Sequence, residues 1–181
     1  MKDILDKAAR IELLIFDVDG VLTDGSLFLG DDGQEYKAFN SQDGHGIKML
    51  QKHGVRCAII TGRTSRVVEH RIRNLGIDPA LVWQGQHDKM SAFEQLLQRT
   101  GLDPEQVAYV GDDVVDLPVM SRVGLAIAVQ DAHPFVLRHC HWQTPRGGGR
   151  GAARDACEML MEARGVLQRE LGSYLAGNGE A

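Results

Sequence analysis

The sequence predicts an α/β fold of the doubly wound, Rossmann-like kind, a parallel sheet with helices on both faces. Short runs rich in β-branched and apolar residues alternate with segments of helical spacing, the rhythm of strand and crossover helix. Those runs are apolar almost throughout rather than at every second residue, as strands buried on both faces are. Three of them also stop abruptly in polar clusters, Asp17-Val18-Asp19-Gly20, Thr61-Gly62-Arg63 and Gly111-Asp112-Asp113. Ligands of such sheets bind beyond the carboxyl ends of the strands.

In chain order, Ile11–Phe16 is the first expected strand. The alternating stretches Ser26–Leu29 and Glu35–Phe39 flank Gly30-Asp31-Asp32-Gly33, a hairpin turn signal, and mark a β-hairpin flap over about residues 24–40. A loop, Asn40–Gly46, leads into helical spacing over Gly46–His53, then the strand Val55–Ile60 and a helix over Ser65–Leu75. A weaker strand, Ala80–Trp83, precedes a helix over Asp88–Thr100, the strand Gln106–Val110, a helix over Leu117–Val123 and the strand Leu125–Val129. After the glycine run Arg146–Arg150, Gly151–Arg164 is helical again. The glycine run fits either a mobile flap carrying Arg150 or a plain flexible connector. One domain is expected over residues 1–175, with 176–181 a flexible tail.

Composition bounds the function. At 181 residues and 43% hydrophobic, the chain can bury a core without staples, which excludes disordered, collagen-like and disulfide scaffolds. With 20 Lys+Arg against 25 Asp+Glu the net charge is −5, and no basic stretch suits a run of phosphates, so no nucleic acid is expected as a partner. Cys57, Cys140 and Cys157 are scattered and read as reduced thiols. No segment approaches the roughly 18 apolar residues of a membrane span, and acids occupy the place of a signal peptide's apolar core; a cytoplasmic protein is expected.

The acids at the strand ends carry the chemistry. Asp17 and Asp19, two apart, present both carboxylates to one face if strand geometry persists. Paired carboxylates repel unless a cation lies between them, and Asp112 from a neighbouring strand end completes an oxygen-rich site suited to Mg²⁺. Capping of a following helix competes as an explanation of any one of these acids. It explains poorly Asp17, Asp19, Asp112, Asp113 and Asp116 together.

Asp17-Val18-Asp19-Gly20-Val21-Leu22-Thr23-Asp24 resembles the first motif of the haloacid dehalogenase-like phosphatases. Thr61 matches the second motif, Lys89 the third and Gly111-Asp112-Asp113-x-x-Asp116 the fourth, all in order. The resemblance implies that Asp17 is the nucleophile and Asp19 the general acid and base. It also implies that Thr61, Gly62 and Lys89 bind the phosphoryl group, and that Mg²⁺ is held by Asp17, the Asp19 carbonyl, Asp112 and, through water, Asp113. For Lys89 alone, a solvated lysine at a helix start is the competing reading.

Members of that family usually carry a cap domain after the first or second motif. Here 42 positions separate Asp19 from Thr61 and 28 separate Thr61 from Lys89, room for a hairpin and single helices but for no cap domain. The pattern resembles the capless branch, and this implies a homotetramer with sites at subunit borders. The implied substrate is a phosphorylated eight-carbon sugar acid, a lipopolysaccharide precursor. Asn40, Ser41, Gln42, Asp43 and Gly44 would contact sugar hydroxyls, and Lys48, Arg63 and Arg71 the carboxylate or phosphate. A solvated helix arginine remains open for Arg71, and a helix-entry turn for Asn40–Gly44. His45 stands where relatives commonly have an aromatic residue. A nine-carbon sugar acid phosphate and a non-catalytic domain partnering a sugar-nucleotide synthetase are the rival readings; intact Asp17, Asp19, Thr61, Lys89 and Asp112 weigh against the latter.

Overall fold

A computed structural model describes residues 2–176. The chain runs through α1 (Lys2–Ala8), β1 (Leu13–Phe16), β2 (Phe28–Leu29), β3 (Glu35–Tyr36), α2 (Ser41–Lys52), β4 (Arg56–Ile60), α3 (Arg66–Leu75) and β5 (Val82–Trp83). It continues through α4 (Lys89–Thr100), β6 (Val107–Gly111), α5 (Leu117–Met120), β7 (Leu125–Ala128), α6 (Pro134–Leu137), β8 (Trp142–Gln143), α7 (Ala152–Ala163) and α8 (Leu167–Leu175). Six strands form one sheet in the order β5-β4-β1-β6-β7-β8, every pair parallel, while β2 and β3 pair antiparallel as a separate hairpin. The α/β, doubly wound reading therefore holds.

Every residue of β1, β6 and β7 is buried, which is why these runs carry no polar alternation. Right-handed crossovers put α2 and α3 on one face, where α2 packs against α7, and α4 and α5 on the other. Strand order reverses at β1: the chain leaves it toward β4 and β5, then returns to place β6 on its opposite side. The crevice at this switch point lies beyond the ends of β1, β4 and β6. Phe16 is level with Ile59 and with Val110, so Asp17, one residue on, and Thr61 and Asp112, two residues on, emerge at the same end of the sheet.

Between Asp19 and Thr61 the chain holds only the hairpin, α2 and β4, and no cap domain is inserted among the described residues. No described helix is long and apolar enough to cross a membrane. The tail expected over 176–181 falls, beyond Ala176, outside the described residues.

Several boundaries differ from expectation. The loop expected over Asn40–Gly46 is helix: α2 starts at Ser41, and Asn40 is its N-cap, accepting hydrogen bonds from the amides of Gln42 (2.8 Å) and Asp43 (3.3 Å). Gly44 and Gly46 stand inside this helix for tertiary reasons. A Cβ on Gly44 would stand 2.3 Å from Arg71 Nη2, and one on Gly46 2.7 Å from Arg154 Cδ. The helices α1, α6 and α8 and the two-residue edge strand β8 were not anticipated, and α5 ends at Met120 rather than Val123.

The glycine run is packed rather than loose. Gly149 donates to Val21 O (2.9 Å), Gly148 to Asp131 Oδ1 (2.9 Å), and Arg150 Nη2 pairs with Asp24 Oδ2 (2.9 Å). A Cβ on Gly148 would lie 1.8 Å from the Gly20 carbonyl oxygen, a clash with backbone that nothing can yield to cheaply. Gly148→Ala is therefore expected to cost about 1–3 kcal/mol and to push the loop after β1 out of register. Urea unfolding of the variant measures this; wild-type stability would show that the run does not need its close approach.

Candidate active site

Asp17 extends β1 by one residue, its amide still bonded to Val110 O (3.1 Å). The chain then folds into a tight loop in which Val18 O accepts from the amides of Val21, Leu22 and Thr23, and the buried Thr23 hydroxyl accepts from Gly20 and Gly25. Gly20 sits at φ +90°, and a Cβ there would be 2.1 Å from Asp112 Oδ2. Only glycine lets this loop lie against Asp112.

Lys89, the first residue of α4, is buried, so the solvated alternative falls. Its Nζ lies 2.9 Å from Asp17 Oδ2 and 2.6 Å from Asp116 Oδ1. Asp116 is fully buried and saturated. Its Oδ1 also accepts from Tyr109 OH (2.7 Å), and its Oδ2 accepts from the amides of Asp112 (3.0 Å) and Asp113 (3.3 Å). It acts as the post that fixes Lys89 and the turn after β6. Asp17, Asp112 and Asp116 each have a carboxylate oxygen within 4.8 Å of the others. Burial first, then the Asp116 charge, raises Asp17 from its ordinary 3.8 to about 6, against the pull of Lys89. Burial followed by the charges of Asp116, Asp17 and Asp113 raises Asp112 to about 8.

This charge set fits a hard divalent cation. Asp112 Oδ1 is buried with no hydrogen-bond partner among the described residues, a cost that native sites rarely bear without a ligand. Asp17 and Asp112 could hold the ion, whereas all the carboxylate oxygens of Asp116 are taken. Raised carboxyl values mean that the fold binds protons more tightly than the unfolded chain. The cation-free protein accordingly loses stability as pH climbs from about 4 through about 8. A divalent cation needs the ionised carboxylates and competes with those protons. The rise in melting temperature on adding Mg²⁺ is thus expected to be small at pH 5 and to grow up to about pH 8; a shift independent of pH would contradict the assignment.

Asp17, Asp19, Thr61, Gly62, Arg63, Lys89, Asp112 and Asp113 all line one cleft of about 230 Å³. The buried Thr61 continues β4, its amide bonded to Trp83 O (3.0 Å). Asp113 is exposed and accepts from the amide of Val114 (2.7 Å), capping the turn that follows. Gln86, His87 and Val115 complete the cleft and were not singled out in the sequence.

The remaining expected substrate residues are not on this cleft. Ser41, Gly44, Lys48 and Arg71 line a separate cavity of about 260 Å³, and Asn40 a smaller one with Asp24 and Arg150. Gln42 Oε1 accepts from Arg146 Nη1 (3.1 Å). Asp43 is buried and accepts from the amides of Arg154 (2.8 Å) and Gly151 (3.3 Å), so within this chain it anchors the start of α7. Arg71 is not a solvated arginine either. It donates to Asn40 O (3.0 Å) and stacks over the Phe39 ring at 5.4 Å, clamping the head of α2.

Two charged residues escaped the sequence reading. Lys37, after β3, pairs with Asp19 Oδ1 and lies 3.2 Å from Glu35 Oε1; Glu35 in turn accepts from Arg63 Nη2 (3.0 Å). The available signal was a lysine and a glutamate two apart on one face of an expected hairpin strand.

A buried carboxylate, a buried lysine beside it and a cation-fitting acid cluster stand together at the switch point. Residues 32–124 match the haloacid dehalogenase-like hydrolase model, and the chain belongs to this family. Within it, the chain is 48% identical over 173 residues to the 3-deoxy-D-manno-octulosonate 8-phosphate phosphatase KdsC of Escherichia coli strain K12, covering 96% of this chain and 91% of that protein. It superposes on the crystal structure of the phosphatase of that name from Yersinia pestis with a TM-score of 0.89 at 48% identity, covering 92% of this chain and 89% of the other. The Moraxella catarrhalis phosphatase, solved with magnesium, phosphate and KDO, matches at TM-score 0.92 and 36% identity over 96% and 99% of the two chains.

Proposed function

We propose that this chain is a Mg²⁺-dependent phosphomonoesterase that hydrolyses 3-deoxy-D-manno-octulosonate 8-phosphate, in lipopolysaccharide precursor synthesis in the cytoplasm. The observation that carries the reading is the Asp17–Lys89–Asp116 triad beside an unsatisfied Asp112. Similarity along nearly the whole chain to phosphatases of that name, at 48% and 36% identity, supports the substrate.

Asp17 attacks phosphorus, forming an aspartyl-phosphate as the ester P–O bond breaks, and the leaving oxygen takes a proton from Asp19. Water then attacks phosphorus, gives its proton to Asp19 and releases phosphate and free Asp17. The Thr61 hydroxyl, the Gly62 amide and Lys89 hold the phosphoryl oxygens. Asp17, Asp112 and the Asp19 carbonyl would hold Mg²⁺, with Asp113 supporting it through water, and the ion would supply positive charge against the repulsion between Asp17 and the phosphate.

An open, capless cleft needs a cover, and we assign it to a second copy of the chain in a homotetramer. Leu27, Phe28, Leu29 and Tyr36 on the hairpin are exposed, an apolar surface that suits a neighbouring subunit. In that assembly the cavity of Ser41, Gly44, Lys48 and Arg71, and Asn40 with Gln42 and Asp43, would stand near a neighbour's cleft and contact its sugar acid. The test is a side-by-side assay of sugar phosphates. The eight-carbon acid 8-phosphate is expected to have the highest kcat/KM; a preference for the nine-carbon 9-phosphate, or equal weak rates on all, would overturn the assignment.

A further inference from the structure

We propose that Lys37, carried into the cleft by the hairpin, is a positioning residue for Asp19. The inference deepens the phosphatase reading above and rests on Asp19 being its acid and base. The Lys37 side chain is only 1% exposed, although it follows a hairpin strand whose neighbours Phe28, Leu29 and Tyr36 face solvent. An ammonium is buried at this cost only where carboxylates receive it. Two do: Asp19 Oδ1, in direct contact, and Glu35 Oε1 at 3.2 Å. Glu35 is itself held by Arg63 Nη2 at 3.0 Å, from the loop after β4.

The consequence for Asp19 is geometric. One oxygen is tied to Lys37, which fixes the carboxylate's rotation. The other, Oδ2, has no hydrogen-bond partner among the described residues, and Arg63 Nε stands 3.9 Å from it. Asp19 therefore offers a single free oxygen on the cleft it shares with Asp17 and Thr61. An unanchored aspartate side chain samples several rotamers, and a proton acceptor must be within hydrogen-bond reach of its donor. Lys37 thus does for Asp19 what Asp116 does for Lys89.

A purely structural role is the competing account, because the same ion pairs fasten the hairpin to the domain. Burst kinetics with p-nitrophenyl phosphate separate the two. Its leaving group departs without a proton, so formation of the aspartyl-phosphate does not need Asp19, whereas hydrolysis of that intermediate does. Lys37→Met is expected to release a near-stoichiometric burst of p-nitrophenol at close to the wild-type rate. Steady turnover should then be about 10²-fold slower and KM should fall with it, because kcat/KM still reports the unchanged first step. Lys37→Arg should recover most of the turnover. The burst itself reports a folded, competent site. If burst and turnover fall together, if KM rises instead, or if neither rate changes, the positioning role is overturned. Asp19→Asn run in parallel distinguishes the failures: its full turnover would refute Asp19 as the base, and a burst in Asp19→Asn without one in Lys37→Met would refute Lys37 alone.

Discussion

Asp17→Asn is expected to lower phosphate release at least about 10⁴-fold while leaving the protein folded. An amide oxygen has no charge to place on phosphorus, and the neighbouring Asp116 cannot stand in, saturated as it is by Lys89, Tyr109 and two amides. Stability should move in the opposite direction. Burial and the nearby Asp116 hold the Asp17 carboxyl at about 6, so at pH 8 its ionisation works against the fold when no cation is present. Removing that charge relieves the repulsion, and Lys89 keeps Asp116 as its partner. The cation-free variant should melt at or above the wild-type temperature at pH 8. Normal turnover would refute the nucleophile, and a lower melting temperature would refute the electrostatic account.

Lys89→Met is expected to damage both stability and activity. The substitution leaves Asp17 and Asp116 buried without their shared cation, and breaking such an arrangement costs about 3–5 kcal/mol. Turnover should fall about 10²–10³-fold through loss of one preorganised donor to the phosphoryl group. The sign of the pH dependence follows from the same pair. Below the raised value of Asp17 a proton can take the place of the lysine charge, so the stability loss should be smaller at pH 5 than at pH 8. Urea unfolding at both values measures it, and an equal loss would mean that Lys89 contributes by packing alone.

The central part of the fold was legible because the physics there is local. Buried parallel strands must be apolar throughout, so Leu13–Phe16 and Val107–Gly111 announce themselves, and acids that end such runs stand out. What escaped depended on contacts distant in sequence. Gly44 and Gly46 look like loop residues until Arg71 and Arg154 occupy the space their side chains would fill. Asp43 looks like a polar loop residue until α7 arrives to donate two amides to it. The Gly147–Gly149 run reads as flexibility, but Gly148 and Gly149 pass against the backbone of Gly20 and Thr23, and Gly147 against Asp131. Lys37 was hidden for a related reason: a hairpin lysine is ordinarily a solvated one, and only the fold brings it to Asp19.

Phosphoryl transfer is expected to pass through Asp17. Rapid acid quench during turnover of 3-deoxy-D-manno-octulosonate 8-phosphate, followed by digestion and mass mapping, tests it most directly. The expected result is a hydroxylamine-labile phosphoryl group on the peptide containing Asp17, absent from Asp17→Asn, and accumulating in Asp19→Asn when that variant is given p-nitrophenyl phosphate, whose leaving group needs no proton. A phosphoryl group on another residue, or turnover with none trapped in Asp19→Asn, would contradict it.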